Sequence, residues 1–290
     1  MTNNDTTTNA TTNNAAQPPS LSNLSPRECL SLEYDSGWLR IWLNRPEARN
    51  ALSNELIAEL QEVLDLVRDD REVRGITLRG RGGVFCAGGD LKGFRTNMQG
   101  DASNEESVAR ISSEIGILFT ALNEMPQVVL ILVEGAAMAG GLGIACCGDV
   151  VAVTRDAKFA LTETTLGIPP AQIAPFVVGR LGLATARRLM LTAARFDGAV
   201  AGENGLADYV VDDAIALDAI EVEVRWQVQR CAPGANAITK EIVLATRHTG
   251  GEEIRNLAGR GFAKALLSEE GREGISAFLE KRKPRWAESS

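Results

Sequence analysis

Histidine is nearly absent from this sequence, which carries a single imidazole, His248, in 290 residues. A zinc site with two or three histidine ligands is therefore excluded, and a Ser-His-Asp or Cys-His arrangement would depend on that one residue. His248 stands in the polar stretch Arg247-His248-Thr249-Gly250 between predicted helices, which favours a surface position. We expect no metal site, and if the chain is an enzyme we expect its acid–base chemistry to use carboxylates.

The sequence also lacks CxxC pairs, long apolar runs and an excess of positive charge. Its five cysteines, an odd number, predict reduced thiols, and no basic region precedes an apolar stretch at the N-terminus, so we expect a cytoplasmic protein. It contains no run of about 18 apolar residues, so no membrane span is predicted. With 30 Lys and Arg against 38 Asp and Glu, the net charge of −8 argues against nucleic acid and anionic membranes as partners.

The composition divides the chain into three parts. Residues 1–24 are rich in Thr and Asn and nearly uncharged, which predicts a disordered tail without a catalytic part. Residues 25–214 alternate strand-like and helix-like patterns, and residues 215–290 are mostly helical in pattern. With 44% hydrophobic residues, the chain is long enough to bury a large core.

The middle part predicts an α/β architecture with crossover connections, because strand, glycine-rich turn and helix recur in that order. Residues 29–34 and Trp38–Leu43 flank a turn and predict a hairpin, and Ser53 predicts the N-cap of an amphipathic helix. The apolar positions of that helix are Leu56, Leu60, Val63 and Val67. Further strands are predicted over 75–78, Val128–Val133 and 150–153, and helices over 112–125, 185–191, 215–230, 235–247, 252–267 and 270–281.

Two glycine-rich segments follow predicted strands. Glycines in 79–92 allow a sharp turn and a close approach of backbone N–H groups to a ligand, although a tight structural turn explains this segment more readily. It contains neither a Walker A loop nor a GxGxxG fingerprint. Segment 135–145 follows a buried strand and opens a predicted helix, whose unpaired N–H groups suit a developing oxyanion. Close helix packing explains its small residues equally well.

A carboxylate, Glu163, stands among apolar and hydroxyl residues just before a Gly-Pro turn. A partly apolar pocket raises the pKa of a carboxyl group, which fits a general acid or base. The alternative is a surface glutamate at the edge of a loop.

Four motifs in order give the chain a specific resemblance. Segments 43–52, 85–91, 135–145 and 273–286 resemble the opening signature, the CoA-binding turn, the second oxyanion turn and the C-terminal helix of the crotonase (enoyl-CoA hydratase/isomerase) superfamily. The resemblance runs from about Leu30 to Trp286 and implies a ββα spiral core over 25–214. It also implies that 215–290 form a helical trimerisation layer, in a trimer or two stacked trimers.

The resemblance further implies a site for an acyl-CoA thioester, with no cofactor other than the CoA of the substrate. The N–H groups of Gly89 and Gly140 would hold the thioester oxygen as it gains enolate charge, each contributing about 3–4 kcal/mol in the transition state. The other residues implied to bind CoA are Ala87, Gly88, Asp90 and Leu91 along the CoA path, Lys92, Arg45 and Arg49 at the phosphates, and Phe278 and Lys281 from a neighbouring subunit. Met138 and Phe176 are candidates for the acyl pocket, although ordinary core packing explains both more readily.

The chain departs from the family pattern at Gly143, where two-carboxylate hydratases carry a glutamate. Glu163 matches the second catalytic position, so the chain resembles a single-glutamate member. One carboxylate can take a proton from water and return a proton to C2, or it can move a proton along the acyl chain, so hydratase and isomerase both remain open.

Segment 170–178, PAQIAPFVV, combined with Gly143 resembles the branch that hydrates branched glutaconyl-CoA thioesters. We favour isohexenylglutaconyl-CoA as the substrate, with 3-methylglutaconyl-CoA next. The alternatives on the same fold are an isomerase, a thioester hydrolase and a decarboxylase. A non-catalytic or RNA-binding homologue is the alternative from another class, and the acidic charge balance ranks it last.

Overall fold

The computed structural model describes residues 27–90 and 104–287. The predicted tail, 1–24, and two of the predicted CoA-binding residues, Leu91 and Lys92, lie outside the described residues. The strands are β1 (Leu30–Asp35), β2 (Trp38–Leu43), β3 (Gly75–Gly80), β4 (Val128–Val133), β5 (Ala136–Met138), β6 (Val150–Thr154), β7 (Lys158–Ala160), β8 (Phe196–Asp197) and β9 (Tyr209–Val211).

The strands form two sheets. The larger has six strands in the order β1-β2-β3-β4-β6-β9, and the smaller has three in the order β5-β7-β8. The hairpin of β1 and β2 is antiparallel, as predicted, and the other neighbours in the larger sheet are parallel. Parallel strands require crossovers, and in this chain each crossover carries the backbone from a strand of the large sheet through a helix and back.

The helices are α1 (Asn54–Val67), α2 (Glu105–Asn123), α3 (Gly140–Cys147), α4 (Ala174–Thr192), α5 (Gly198–Glu203), α6 (Ala214–Gln229), α7 (Pro233–Ala245), α8 (Gly251–Leu266) and α9 (Glu269–Leu279). The hydroxyl of Ser53 accepts the N–H of Leu56 at 3.3 Å, which confirms the predicted N-cap of α1. All four apolar positions predicted for that helix are buried. None of the helices in the described ranges is long and apolar enough to cross a membrane.

Two helices are longer than the sequence predicts. Helix α2 begins at Glu105 rather than at residue 112, because Asn104 and Ser107 form a capping box about two turns earlier. Helix α4 begins at Ala174 rather than at residue 185, with Pro175 in its first turn. Its Gly182 has φ 74°, so a break within the helix hides the helical pattern of the first half.

The helices after β9 occupy two different environments. Helix α6 covers the large sheet, where Leu217 and Val224 pack with Trp38 and Leu130 in a buried cluster. Helices α7, α8 and α9 pack mainly on one another, and large apolar side chains such as Phe262, 68% exposed, face outwards. The architecture is α/β, with a core of two sheets and crossover helices followed by C-terminal helices, as expected. The boundary between residues 214 and 215 stays a prediction.

Candidate active site

Glu163 opens a single turn of 3₁₀ helix, Glu163–Leu166, shortly after β7. The turn ends at Gly167, whose φ of 76° lies in the left-handed region that glycine adopts without strain. The carbonyl of Glu163 accepts the N–H of Ile168 at 3.2 Å. Both ends of the turn are therefore fixed by backbone bonds, so the carboxylate projects from a defined position rather than from a loose loop edge.

The Glu163 carboxyl group is partly buried and poorly solvated. Its Oε2 atom is buried and has no hydrogen-bond partner among the described residues. Burial raises the pKa of Glu163 above its ordinary value, and only a backbone hydrogen bond at the residue itself opposes the shift. A carboxylate that lacks stabilising partners is a stronger base than one in water, which suits it to exchange protons with a substrate.

The turn over 85–89 lies alongside strand β5. Cys86 donates its N–H to the Ala136 carbonyl at 3.0 Å and accepts the N–H of Met138 at 2.9 Å. Gly88 has φ 96°, and a Cβ atom there would lie 2.9 Å from the Cβ of Ala139. Only glycine allows the first turn to pass this close to the residue that precedes α3.

Leu52 connects the two glycines predicted to form the oxyanion hole. Its N–H donates to the Gly88 carbonyl at 2.8 Å and its carbonyl accepts the N–H of Asp90 at 3.1 Å. Since successive N–H groups of an extended chain point to opposite sides, the N–H of Gly89 is directed away from Leu52. A Cβ atom on Gly140 would lie 2.9 Å from Leu52 Cδ1, so the side chain of the same leucine packs against the start of α3.

Gly140 is the first residue of α3, where backbone N–H groups have no partner within the helix. The preceding residue, Ala139, has φ 48° and ψ −118°, and no side chain caps the helix. The N–H of Ala139 donates to the Ala160 carbonyl at 2.8 Å, and Ala160 ends the strand that leads to Glu163. The arrangement therefore combines exposed backbone donors with one desolvated carboxylate, which can stabilise an oxyanion and transfer a proton.

Comparison with known proteins assigns this arrangement to a family. The enoyl-CoA hydratase/isomerase family model matches residues 33–289. The chain belongs to the enoyl-CoA hydratase/isomerase family. It is 34% identical to a putative enoyl-CoA hydratase of Thermus thermophilus, over 85% of this chain and 96% of that protein. It is 32% identical to the 1,2-epoxyphenylacetyl-CoA isomerase of Escherichia coli, over 89% of this chain and 98% of that protein.

Solved structures agree with the family assignment. The structure of Pseudomonas aeruginosa AtuE is 48% identical in sequence and superposes with a TM-score of 0.86, covering 90% of this chain and all of AtuE. The chain is thus an enoyl-CoA hydratase-type enzyme. An acyl-CoA substrate is consistent with membership of this family. The assignments of individual residues to catalysis and to CoA binding stay predictions.

Two of the predicted phosphate partners of this enoyl-CoA hydratase-type enzyme differ in their surroundings. Arg45 donates from Nη1 to the Ala51 carbonyl at 2.9 Å and forms an ion pair with Asp90 at 3.7 Å. Arg49 has an exposed side chain and φ 52°, and its carbonyl accepts the N–H of Ala87 at 3.0 Å. Arg49 is therefore the more available cation, whereas Arg45 would have to leave Asp90 to bind a phosphate.

Sequence reasoning missed Asn50 as a residue of the site. This side chain is fully buried, accepts the N–H of Arg45 at 2.8 Å, and donates to the carbonyls of Arg81 and Val84 at 2.9 and 2.7 Å. Its φ of 55° is one that asparagine tolerates better than most residues. Asn50 holds the 45–50 loop against the first glycine-rich turn. In the sequence, the one feature that could have indicated this role is that Asn50 places an uncharged amide within the opening signature, 43–52.

The remaining predicted site residues lie on β5, on α4 and at the end of α9. Met138 ends β5, is partly buried, and contacts Cys86 through its N–H. Phe176 lies in α4 with its ring 6.0 Å from that of Phe119. Phe278 is 83% exposed at the end of α9, and Lys281 follows it with φ 55°. The contribution of Phe278 and Lys281 to a neighbouring subunit's site stays a prediction.

A large cleft formed by described residues lies elsewhere. It has a volume of 1180 Å³ and runs between α7, α8, α9 and the end of α1, with Arg68, Ile238 and Trp286 in its lining. None of Glu163, Gly89 and Gly140 borders it. Glu163, rather than a residue of this cleft, remains the candidate catalytic residue, because its desolvated carboxylate adjoins the start of α3 through the bond between Ala139 and Ala160.

Proposed function

We propose that this enzyme adds water across the α,β-double bond of a branched glutaconyl-type acyl-CoA, with isohexenylglutaconyl-CoA as the first candidate and 3-methylglutaconyl-CoA as the second. The observation that carries the proposal is the buried Oε2 atom of Glu163, which has no hydrogen-bond partner in residues 27–90 and 104–287. A carboxylate in that state can activate water, and the segment that bears it is bonded through Ala160 to the turn before Gly140.

In the proposed reaction, Glu163 accepts a proton from a water molecule as the water oxygen forms a bond to C3. The π electrons of the double bond move toward the thioester, whose oxygen gains enolate charge. The N–H groups of Gly89 and Gly140 donate hydrogen bonds to that oxygen, and the enolate then takes a proton from Glu163 at C2. The raised pKa of Glu163 supports both transfers, because a general acid–base works best with a pKa near the operating pH.

The CoA portion would be bound largely by backbone groups of the first glycine-rich turn. No cofactor beyond the CoA of the substrate, no metal, no nucleic acid and no membrane takes part in this proposal. Self-association as a trimer or a dimer of trimers is supported by exposed apolar side chains on α8 and α9, and a cytoplasmic location by free thiols. The residues assigned to CoA and acyl binding are Arg45, Arg49, Ala87, Gly88, Gly89, Asp90, Leu91, Lys92, Met138, Gly140, Phe278 and Lys281.

A panel of enoyl-CoA and branched glutaconyl-CoA thioesters, analysed by mass spectrometry, tests the reaction. Hydration adds one water to the intact thioester, and we expect the branched glutaconyl esters to give the highest kcat/KM. Glu163→Gln is expected to lower kcat by about 10²–10⁴-fold while leaving CoA binding nearly unchanged. Turnover by Glu163→Gln at the unchanged rate would contradict the role of this residue.

Isomerisation on the same site is the second candidate, favoured by the 32% identity to an isomerase that acts on a CoA thioester. With one carboxylate, the enzyme could remove a proton from one carbon of the acyl chain and return it to another. The product would have the mass of the substrate, so the same mass spectra separate isomerisation from hydration. Incubation in deuterium oxide would then locate the exchanged carbon.

A further inference from the structure

Two adjacent side chains, Gln172 and Ile173, fill spaces that glycines leave on two neighbouring helices. A Cβ atom on Gly116 of α2 would lie 2.3 Å from Gln172 Oε1, and Gln172 Nε2 donates to the Ser112 hydroxyl at 3.0 Å. A Cβ atom on Gly143 of α3 would lie 2.3 Å from Ile173 Cγ2. The turn before α4 therefore packs on both helices, and the contact of Ile173 with Gly143 leaves no room for a Cβ atom at 143.

The second of these contacts is at the position where two-carboxylate hydratases carry a glutamate. Ile173 is only 4% exposed and lies directly over Gly143, so it occupies the space into which a side chain from that position would point. Phe119 closes the other side, with its Cε1 atom 3.2 Å from a Cβ atom on Gly143. Ile173 and Phe119 thus form an apolar surface at the place that the carboxylate of a glutamate at position 143 would occupy.

This apolar surface adjoins the proposed oxyanion hole. Gly140 and Gly143 are separated by three positions on α3 and share one face of the helix. Phe119 Cζ would lie 3.9 Å from a Cβ atom on Gly140, and Leu52 contacts the same glycine. The side chains of Leu52, Phe119 and Ile173 offer no hydrogen-bond partner to a water molecule. A hydrocarbon group can contact them without losing a hydrogen bond.

We propose that Ile173, seated over Gly143, is a specificity-determining residue whose side chain contacts an apolar branch at C3 of the acyl chain. This inference rests on the proposed function and deepens it, since it assigns recognition of the branch to one side chain. Ile173 does not take part in proton transfer. It shapes the pocket beside the thioester so that a branched substrate fills it and an unbranched substrate leaves a gap.

Glutaconyl-CoA and 3-methylglutaconyl-CoA differ only by the branch, so the ratio of their kcat/KM values measures this contact. We expect Ile173→Ala to lower the ratio of kcat/KM for the branched thioester to kcat/KM for the unbranched thioester by about tenfold or more. Hydrophobic pockets discriminate between substrates that differ by one small group in this range. Ile173→Val provides a milder change if the alanine variant folds poorly. An unchanged ratio, or a higher one, in the folded variants would overturn the proposal.

A matched control is present elsewhere in the chain. Ile131 of β4 is fully buried, and a Cβ atom on Gly148 would lie 2.6 Å from Ile131 Cγ1, so this pair repeats the isoleucine-over-glycine contact away from Glu163. Ile131→Val should lower thermal stability without changing the substrate ratio by more than about twofold. A change as large as that of Ile173→Val would show that the ratio follows stability, which would also overturn the proposal.

Binding separates failure of this inference from failure of the proposed function. Glutaryl-CoA and 3-methylglutaryl-CoA have no double bond, so their dissociation constants can be measured by calorimetry whether or not the enzyme hydrates anything. A wild-type enzyme without hydratase activity would contradict the proposed function. Loss of the preference for 3-methylglutaryl-CoA in Ile173→Ala would still support the role of Ile173, and a preference that persists would refute it.

Discussion

The N–H of Ala139 donates to the carbonyl of Ala160 at 2.8 Å, and this bond joins the two segments on which the proposed chemistry depends. Gly140 follows the first residue directly, and Glu163 follows the second by one short turn. The predicted oxyanion donor and the predicted acid–base group are therefore positioned by the same pairing of β5 with β7. Sites built on paired strands hold geometry more tightly than sites on isolated loops.

Replacing the carboxylate of Glu163, the proposed acid–base group, should stabilise the protein while lowering turnover. The folded-state pKa of Glu163 is raised by burial, so the folded protein favours the protonated form, and this favourable contribution is lost as pH rises through the folded pKa. Glu163→Gln removes the buried charge and should unfold at a higher temperature than wild type at pH 7, by the equivalent of about 0.5–2 kcal/mol. The difference in unfolding temperature between Glu163→Gln and wild type should shrink toward about pH 4, because the wild-type carboxyl group is then protonated and, like the glutamine, uncharged.

Thermal unfolding of both proteins between about pH 4 and pH 8 checks this sign. Glu114, an exposed glutamate on α2, supplies the control, because Glu114→Gln should unfold close to wild type across the range. A Glu163→Gln variant that is less stable than wild type at neutral pH would mean that the charge is stabilised in the fold, contrary to its lack of partners.

The sequence predicts the local elements well and the contacts between distant segments poorly. Helix α1 is predictable because its N-cap, Ser53, and its apolar positions lie close together in the sequence. The hairpin of β1 and β2 is predictable because its two strands are adjacent in the sequence. The first half of α4 was missed because Gly182 interrupts the pattern. The seating of Ile173 over Gly143 could not be predicted, because it depends on how two helices pack, and a glycine by itself does not reveal which side chain fills its space.

The close approach at Gly88 should be sensitive to a single methyl group. Gly88→Ala places a Cβ atom 2.9 Å from the Cβ of Ala139 on a backbone with φ 96°. We expect a loss of about 1–3 kcal/mol in unfolding free energy and a fall in kcat, since the two oxyanion segments must separate. Gly83→Ala is the control, because Gly83 also has positive φ, 70°, but a Cβ atom there would have no heavy atom within 4 Å. If Gly88→Ala and Gly83→Ala lowered kcat equally, backbone strain alone would explain the lower kcat of Gly88→Ala.

Asn50 should be required for the order of the first glycine-rich turn. Asn50→Ala leaves the carbonyls of Arg81 and Val84 without their buried donor and should cost about 2–4 kcal/mol, measured by urea unfolding. Asn50→Asp should be at least as damaging, because it replaces the donor with an oxygen that faces two carbonyl oxygens. Asn44, exposed on the same loop, gives the comparison, and Asn44→Ala should stay within about 0.5 kcal/mol of wild type.

A buried ion pair fixes α6 to the large sheet. Glu221 is 1% exposed, accepts from Arg40 Nε at 3.0 Å, and accepts the Thr77 hydroxyl at 2.8 Å. Glu221→Ala removes one carboxylate from the partly exposed Arg40 guanidinium, which stays paired with Glu33 at 2.9 Å, and should destabilise the protein by about 1–3 kcal/mol. The exposed Glu223 on the same helix is the matched control. The folded fraction of Glu221→Ala should retain wild-type KM, and a selective rise in KM would instead connect this pair to the active site.

Restoring a second carboxylate should need two substitutions rather than one. Gly143→Glu alone forces its side chain against Ile173 Cγ2, where a Cβ atom would already be 2.3 Å away, so we expect a less stable and less active enzyme. Ile173→Ala removes the Cγ2 contact but leaves the Cβ atom of residue 173 at 2.8 Å from a Cβ atom at 143. The double variant should therefore still be less stable than wild type, but more stable than the sum of the two single effects predicts. A double-mutant cycle from urea unfolding measures this coupling, which we expect to be about 1–3 kcal/mol. Strictly additive effects would mean that the 143–173 contact relaxes freely, and the glutamate should then be tolerated with isoleucine still in place.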